Sequence, residues 1–420
     1  MKRSILTLPV AAIVMAAALV TVPGGTSALA SHLTGNPATY TLDADFDDGT
    51  LVNVNHDSPN NDQLQLNGAG EPFNFIWVAA SSRGTVVKID TTTGAILGEY
   101  RTTPSSQSGG NPSRTTVDND GSVWVANRAN VWSSYGSVLH IGLEENGQCE
   151  DRNGNGTIET STGLGDIRAW IDTSGPRAVA TAADECIVHY TKVNSRGTRH
   201  VSVDTNNDVW VGGLELRNFD LLKGGRYDIA GSGTIIRSET SVGYGGYGGL
   251  IDGNGVIWSA RPLLRWDTAL PLTAGNYTGY SHDSYGLCID SAGNVWNTAL
   301  DAWPSGQIRK FAPGGTLLGS YAHGNRYAQG CVVDGKDDVW VAHSLVGAQT
   351  TVGHLLNDGT FVGNVTVGSG PTGVAVDASG KIWATNYNSS TVSRIDPTAG
   401  PIGGGGVPVG AVDLTVNLGT

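Results

Sequence analysis

The sequence predicts an all-β protein, a seven-bladed β-propeller carrying one loop-rich insertion. Two observations carry that prediction. Glycine supplies 60 of the 420 residues and tryptophan 11, while charged residues make up only 15%. That composition suits short strands and tight turns better than amphipathic helices. The second observation is self-similarity, because an Asp followed six residues later by a Trp recurs along the chain. A repeat of this length is the signature of a solenoid or propeller.

Taken in order, the chain opens with Lys2 and Arg3, an apolar run to about Val22, and the small residues Ala28-Leu29-Ala30. A charged start, an apolar core and an A-x-A step read as a secretory signal over residues 1–30. An uncleaved membrane anchor fits less well, since Pro23-Gly24-Gly25 would break a spanning helix. No later segment has the run of roughly 18 apolar residues that a membrane helix needs. The expected product, residues 31–420, is a secreted extracellular protein without a transmembrane anchor, a monomer or part of a surface assembly. Loss of Lys2 and Arg3 takes the formal charge from −13 to −15. Such a surface repels phosphate backbones and excludes nucleic acid as the expected partner.

The repeats run Asp118 to Trp124, Asp204 to Trp210, Asp252 to Trp258, Asp290 to Trp296, Asp334 to Trp340 and Asp377 to Trp383. Trp77 matches the end of the unit without its Asp. In each unit an alternating apolar strand leads to an Asp that caps a turn, and the returning strand carries the Trp. Three residues after the Asp stand Gly121, Gly255, Gly293 and Gly380, or Asn207 and Asp337. These types tolerate positive φ best. Successive Trp are 47, 86, 48, 38, 44 and 43 residues apart. Four short strands per such interval make a propeller blade. A sandwich needs no long repeat, and a β-helix needs a much shorter one. The long interval holds either an eighth, degenerate blade or an insertion, and the absence of an Asp–Trp unit over residues 144–197 favours the insertion. Val412–Val416 is expected to close the ring with an N-terminal strand between Thr39 and Val54.

The run Gly370-Pro371-Thr372-Gly373-Val374-Ala375-Val376-Asp377, continuing through Gly380-Lys381-Ile382-Trp383-Ala384-Thr385-Asn386, resembles NHL-type and streptogramin lyase (virginiamycin B lyase-like) propellers. The resemblance spans Phe75 to Asp396 apart from the insertion, and propellers host unrelated functions. It implies a C–O lyase that eliminates with a His base and a metal held by Glu. The Glu positions, three after each Trp, here hold Ala80, Asn127, Gly213, Arg261, Ala299, His343 and Asn386. The His step, eleven before each Trp, holds Ser113, Arg199, Tyr247, Tyr285, Gln329 and Thr372. Elimination needs a base and an electrophile. Both are missing in this register, which leaves His343 as the one candidate catalytic base.

In the same register these positions approach one mouth of the central channel. They give a polar and weakly basic rim of Asn127, Arg199, Tyr247, Arg261, Tyr285, Gln329, His343 and Asn386. Arginine forks and tyrosine faces suit a small polar or anionic ligand. A solvated channel without ligand is the alternative. The repeat Trp are expected in the core between blades, leaving Trp132, Trp170, Trp266 and Trp303 for surface contacts.

Asp151, Asn153, Asn155, Thr157 and Glu159, with Gly156 at the sharp turn, resemble the front of an EF-hand or dockerin calcium loop. Position 12 is Thr162 rather than Glu, with Asp166 the nearest substitute, so weak structural calcium binding is expected. A turn capped by Asp and Asn is the alternative. Four Cys in an exported chain allow three pairings. Cys149–Cys186 would brace the insertion, and Cys288–Cys331 would join two blades. Cys288 lies two residues before its Asp and Cys331 three, so they point to opposite sheet faces, which neighbouring blades present to each other. No zinc, P-loop or nucleophile-elbow pattern is present. The reading is a secreted, calcium-stabilised, non-catalytic propeller that binds a ligand or an extracellular macromolecule. The alternatives are a streptogramin lyase-like C–O lyase and a lactonase-type hydrolase.

Overall fold

A computed structural model describes residues 73–104, 110–128, 135–171, 179–240, 242–300, 306–344 and 349–419, and the backbone of two short strands before them. Those two, Val54–Asn55 and Gln65–Leu66, pair with each other in a unit spanning residues 1–72. Residues 1–30, which hold the expected signal, lie outside the described residues.

Residues 73–419 form seven antiparallel sheets in chain order. Among the described residues blade 1 has three strands, Phe75–Ala80, Thr85–Asp90 and Ile96–Arg101. Blades 2 to 7 have four each and begin with the inner strands Pro112–Val117, Thr198–Val203, Gly249–Ile251, Leu287–Ile289, Ala328–Val333 and Pro371–Val376. Each of these inner strands contacts the next around the ring. Among the described residues no helix is long and apolar enough to cross a membrane.

The Asp–Trp repeat is what builds a blade. In blade 6 one oxygen of Asp334 accepts the backbone N–H of Lys336 at 2.9 Å and of Asp338 at 3.0 Å. Its other oxygen accepts the Trp340 indole N–H at 2.9 Å. Asp118, Asp290 and Asp377 hold their own Trp in the same way, at 3.1, 3.3 and 2.7 Å. The turn that the Asp caps and the Trp that it anchors therefore form one unit, which accounts for the six-residue spacing. All six turn residues have positive φ, from 61° at Asn207 to 85° at Gly121.

Each Trp packs into the next blade. Trp77 meets Val123 and Val125, Trp124 meets Val211, and Trp210 meets Ile257. Trp258 meets Val295, Trp296 meets Val339, and Trp340 meets Ile382. Trp383 packs on Val78 and Val87 of blade 1, so the same contact closes the circle. Arg394 adds bonds to the carbonyls of Thr91 and Thr92 at 2.7 and 3.0 Å.

The C-terminal strand, Ala411–Asn417, pairs with Thr391–Asp396 as the outer strand of blade 7, and residues 39–53, where its N-terminal partner is expected, lie outside the described residues. Two expectations, the surface placement of Trp170 and of Trp266, are corrected. Trp170 and Trp266 are fully buried, Trp170 against Tyr190 and Trp266 between Trp210 and Phe219. Trp132 and Trp303 lie outside the described residues.

The long interval is an excursion within blade 2, between the third strand, Tyr135–Ile141, and the fourth, Ile187–Arg196. Gly142 N–H bonds the Cys186 carbonyl at 2.8 Å, so the excursion leaves and returns at one point. Its side chains cover blade 1, where Cys149, Trp170 and Cys186 share a core with Trp77 and Tyr100.

Candidate functional site

The turns that carry the repeat Asp lie at one end of the ring. The positions eleven before and three after each Trp therefore lie at the other end, where some members of both sets meet and others turn into the blade walls. Asn127, His343 and Asn386 end their strands with side chains turned into the blade wall, each 2% exposed or less. Asn127 donates to the Thr102 carbonyl at 2.8 Å and to Ser137 Oγ at 3.2 Å. Asn386 donates to Thr391 and Ser393 at 3.1 and 3.0 Å. His343 bridges His323 and Thr351, both at 2.9 Å. Burial, with the neighbouring His323, pushes the His343 imidazole down to about 3, so it is neutral near pH 7. Gln329 is also buried in its inner strand.

Arg199, Tyr247, Arg261 and Tyr285 do come together. The Tyr247 hydroxyl donates to the Tyr285 hydroxyl at 2.7 Å, and the rings meet edge to face with centroids 4.7 Å apart. Arg199 Nη1 donates to the Tyr247 hydroxyl at 3.0 Å and lies near Ser113 Oγ at 3.4 Å. The guanidinium carbons of Arg199 and Arg261 stand 4.5 and 4.9 Å from the Tyr247 ring centre, within cation–π range. Arg261 reaches one carboxylate, Asp283, at 4.0 Å.

Two further arginines join them. The Arg114 guanidinium sits 5.8 and 5.5 Å from the Tyr247 and Tyr285 ring centres. Gly248 leaves room for it, because a Cβ there would stand 3.2 Å from Arg114 Nη2. Arg128 stands at the same mouth, bonded through its backbone N–H and its guanidinium to Asn111. Strand alternation places Ser113 and Arg114 on opposite faces, yet both reach this mouth. The reason is a β-bulge between Pro112 and Arg114, with a matching one between Thr198 and His200. An extra residue in a strand re-aims its neighbours.

The site is strongly electropositive in an acidic chain. Burial pushes Arg199 down to about 10, opposed by Tyr247 and reinforced by Arg128 and Arg114. Burial likewise lowers Arg128 and raises the Tyr285 hydroxyl, the latter to about 12. Beside the mouth, an open groove of about 720 Å³ runs past Leu214, Tyr244, Arg261, Pro262, His282 and Asp283.

The calcium-type loop lies in the excursion, at the end of the ring away from this mouth. The Asp151 carboxylate accepts backbone N–H bonds from Gly154, Asn155 and Gly156 at 2.7, 3.2 and 2.8 Å. Asn153 and Asn155 donate their amides to Glu159 at 2.6 and 3.1 Å. A buried carboxylate that the sequence did not single out, Glu185, holds both ends of the loop. It accepts the N–H groups of Arg152 and Glu159 at 2.8 and 2.9 Å. Asp166 caps Thr162, at 2.9 Å from its backbone N–H. Among the described residues no group of three or more His, Cys, Asp or Glu side chains is arranged to hold a metal.

Both disulfides form as the spacing suggests. Cys149–Cys186 closes the neck of the excursion, and Cys288–Cys331 joins the inner strands of blades 5 and 6.

No family model and no curated protein matches the chain. Solved structures do. A streptogramin B lyase is 14% identical, with a TM-score of 0.50 over 75% of this chain and 87% of that one. A functionally unknown protein from Desulfotomaculum acetoxidans is also 14% identical, with a TM-score of 0.52 over 81% and 98%. At such identity the likeness is one of architecture: this chain is a seven-bladed propeller built like that of streptogramin B lyase.

Proposed function

We propose that this chain is a secreted, non-catalytic propeller that binds a small anionic ligand at one mouth of its channel and is braced by calcium in the excursion. One observation carries the reading: Arg199 and Arg261 converge on the hydroxyl-linked pair Tyr247 and Tyr285. Arginine supplies paired donors and tyrosine a flat face with a hydroxyl, a combination that fixes an anion in orientation. The non-catalytic part rests on His343, which is neutral, buried and fully bonded, and so poorly placed to take a proton from a substrate. Two paired cysteine bridges are consistent with an oxidising compartment.

A panel of acetate, citrate, phosphate and sulfate at matched ionic strength tests the ligand reading by calorimetry. At least one should bind saturably, and changing Arg261→Ala together with Tyr285→Phe should weaken it at least tenfold. Unchanged binding in that double variant counts against the site.

The calcium loop offers oxygen donors, which is what this hard cation takes. Asp151, Asn153, Asn155 and Glu159 would hold it through side chains and Thr157 through its carbonyl. The ion would replace the two amide donors that Glu159 now accepts. With Kd in the extracellular-module range, ~10⁻⁴–10⁻³ M, 10 mM calcium should add about 1–3 kcal/mol of stability. Thermal melts with calcium and with chelator should show that gain, and Asp151→Ala should abolish it. A wild-type melt indifferent to calcium removes this part of the proposal.

A further inference from the structure

The mouth contains an unusual surplus. Arg114, Arg199 and Arg261 gather around two tyrosines, with Arg128 at the same mouth beside Asn111, in a chain whose formal charge is −13. General basicity therefore does not explain them. Among the described residues, Arg114, Arg128 and Arg199 have no carboxylate within 4.0 Å, and Arg261 has only Asp283 at that limit. Arg128 Nη2 donates to the neutral amide oxygen of Asn111, and the Nε atoms of Arg128 and Arg199 are buried without an acceptor. The Tyr285 hydroxyl accepts a hydrogen bond from Tyr247, which leaves its own O–H free to donate. What converges here is a set of donors, and what the set lacks is an acceptor with charge. Buried like charges without a counter-charge are costly, and a bound anion removes that cost.

The number of donors discriminates among anions. A carboxylate brings one charge and two oxygens, enough for one arginine fork or two single contacts. A phosphate monoester brings close to two charges and three terminal oxygens, which matches several guanidiniums at once. The open groove starts at Arg261 and continues past Leu214, Tyr244 and Pro262. Its volume of about 720 Å³ lies within the ordinary range for small-molecule sites, roughly 300–1,000 Å³.

We propose that the mouth binds the phosphate group of a small phosphate monoester, gripped by Arg114, Arg128, Arg199 and Arg261 with the Tyr285 hydroxyl, while the ester's organic part lies in the adjoining groove. This deepens the anion-binding reading above and rests on it. Arg114 and Arg128 enter as binding residues that the repeat register does not mark.

The test is calorimetry on the full chain with phenyl phosphate, inorganic phosphate, phenyl sulfate and benzoate at matched ionic strength. Phenyl phosphate should bind tightest, and phenyl sulfate and benzoate, each with a single charge, at least tenfold more weakly. Arg114→Gln and Arg128→Gln should each weaken phenyl phosphate at least tenfold, whereas Lys336→Gln, at an exposed turn on the opposite end, should not. Should an arginine variant fail to fold, the wild type still decides. Its affinity for phenyl phosphate should rise between pH 5 and 7 as the second proton leaves, near pKa 6, while that for phenyl sulfate stays flat. Benzoate or phenyl sulfate binding as tightly as phenyl phosphate overturns the phosphate assignment and leaves the anion reading standing. Inorganic phosphate binding as tightly as phenyl phosphate overturns the ester part. Binding of no anion at all overturns both.

Discussion

Trp340→Ala will cost about 4 kcal/mol of unfolding free energy. Trp340 is fully buried, stacks on His354 with centroids 3.9 Å apart, and fills the interface with Ile382 and Ile395 of blade 7. Its loss opens a void between two rigid sheets that cannot collapse without breaking their ladders. Its indole bond to Asp334 adds a second contribution that can be separated. Asp334 serves both the turn and the indole, whereas Asp252 serves its turn alone, and the Trp258 indole N–H has no partner. Asp334→Ala should therefore cost more than Asp252→Ala by about 2 kcal/mol, the worth of a hydrogen bond to a charged group. Urea unfolding followed by fluorescence and circular dichroism measures both, with coincident transitions as the check on a single step. Equal losses in the two Asp variants would show that the indole bond contributes nothing.

Acid should destabilise the protein well above the range where carboxylates titrate. Burial lowers His200 and His343 to about 3 from an ordinary value near 6.5, and it lowers His140 as well. His200 is held between Ser259 and Ser202 with the Arg114 charge nearby, and His343 between His323 and Thr351. Below pH 6.5 the unfolded chain binds protons that the native state refuses, so stability falls as pH falls. The loss continues until the native imidazoles take protons themselves, near pH 3. Each of the two contributes about 2 kcal/mol of loss between pH 7 and pH 5, with a slope of about 1.4 kcal/mol per pH unit near pH 5. Denaturant titrations at pH 7, 6 and 5 should show the decline, and His343→Gln should remove close to one proton from the slope. A stability flat from pH 7 to 5 contradicts the neutral, buried state of both residues.

The ring was legible in the sequence because its defining contacts are local. Asp334 touches the backbone two and four residues on and the indole six residues on, so spacing alone encodes the turn. The disulfides were legible for a related reason, since the offset of Cys288 and Cys331 from their Asp sets the faces they occupy. The mouth was legible only in part. Arg199 and Tyr247 fall on the repeat register, but Arg114 reaches the channel through a bulge that no spacing announces. Asn127 and His343 sit on the register too, yet a strand end can turn its side chain into the wall as easily as into the channel. Glu185 was invisible because it acts on residues 26 and 33 positions earlier, brought near by the Cys149–Cys186 neck.

The narrow base of the blade 2 excursion makes it a natural grafting point. Its two ends are already clamped by a backbone bond and a covalent bridge, so whatever hangs between them adds little to the entropy of closing the loop. A foreign epitope or small reporter domain spliced at the exposed residues 180–181 would be displayed from the excursion and leave the Asp151–Glu159 loop intact. Such a chimera would present its cargo from one end of the ring while the other end stayed free to bind.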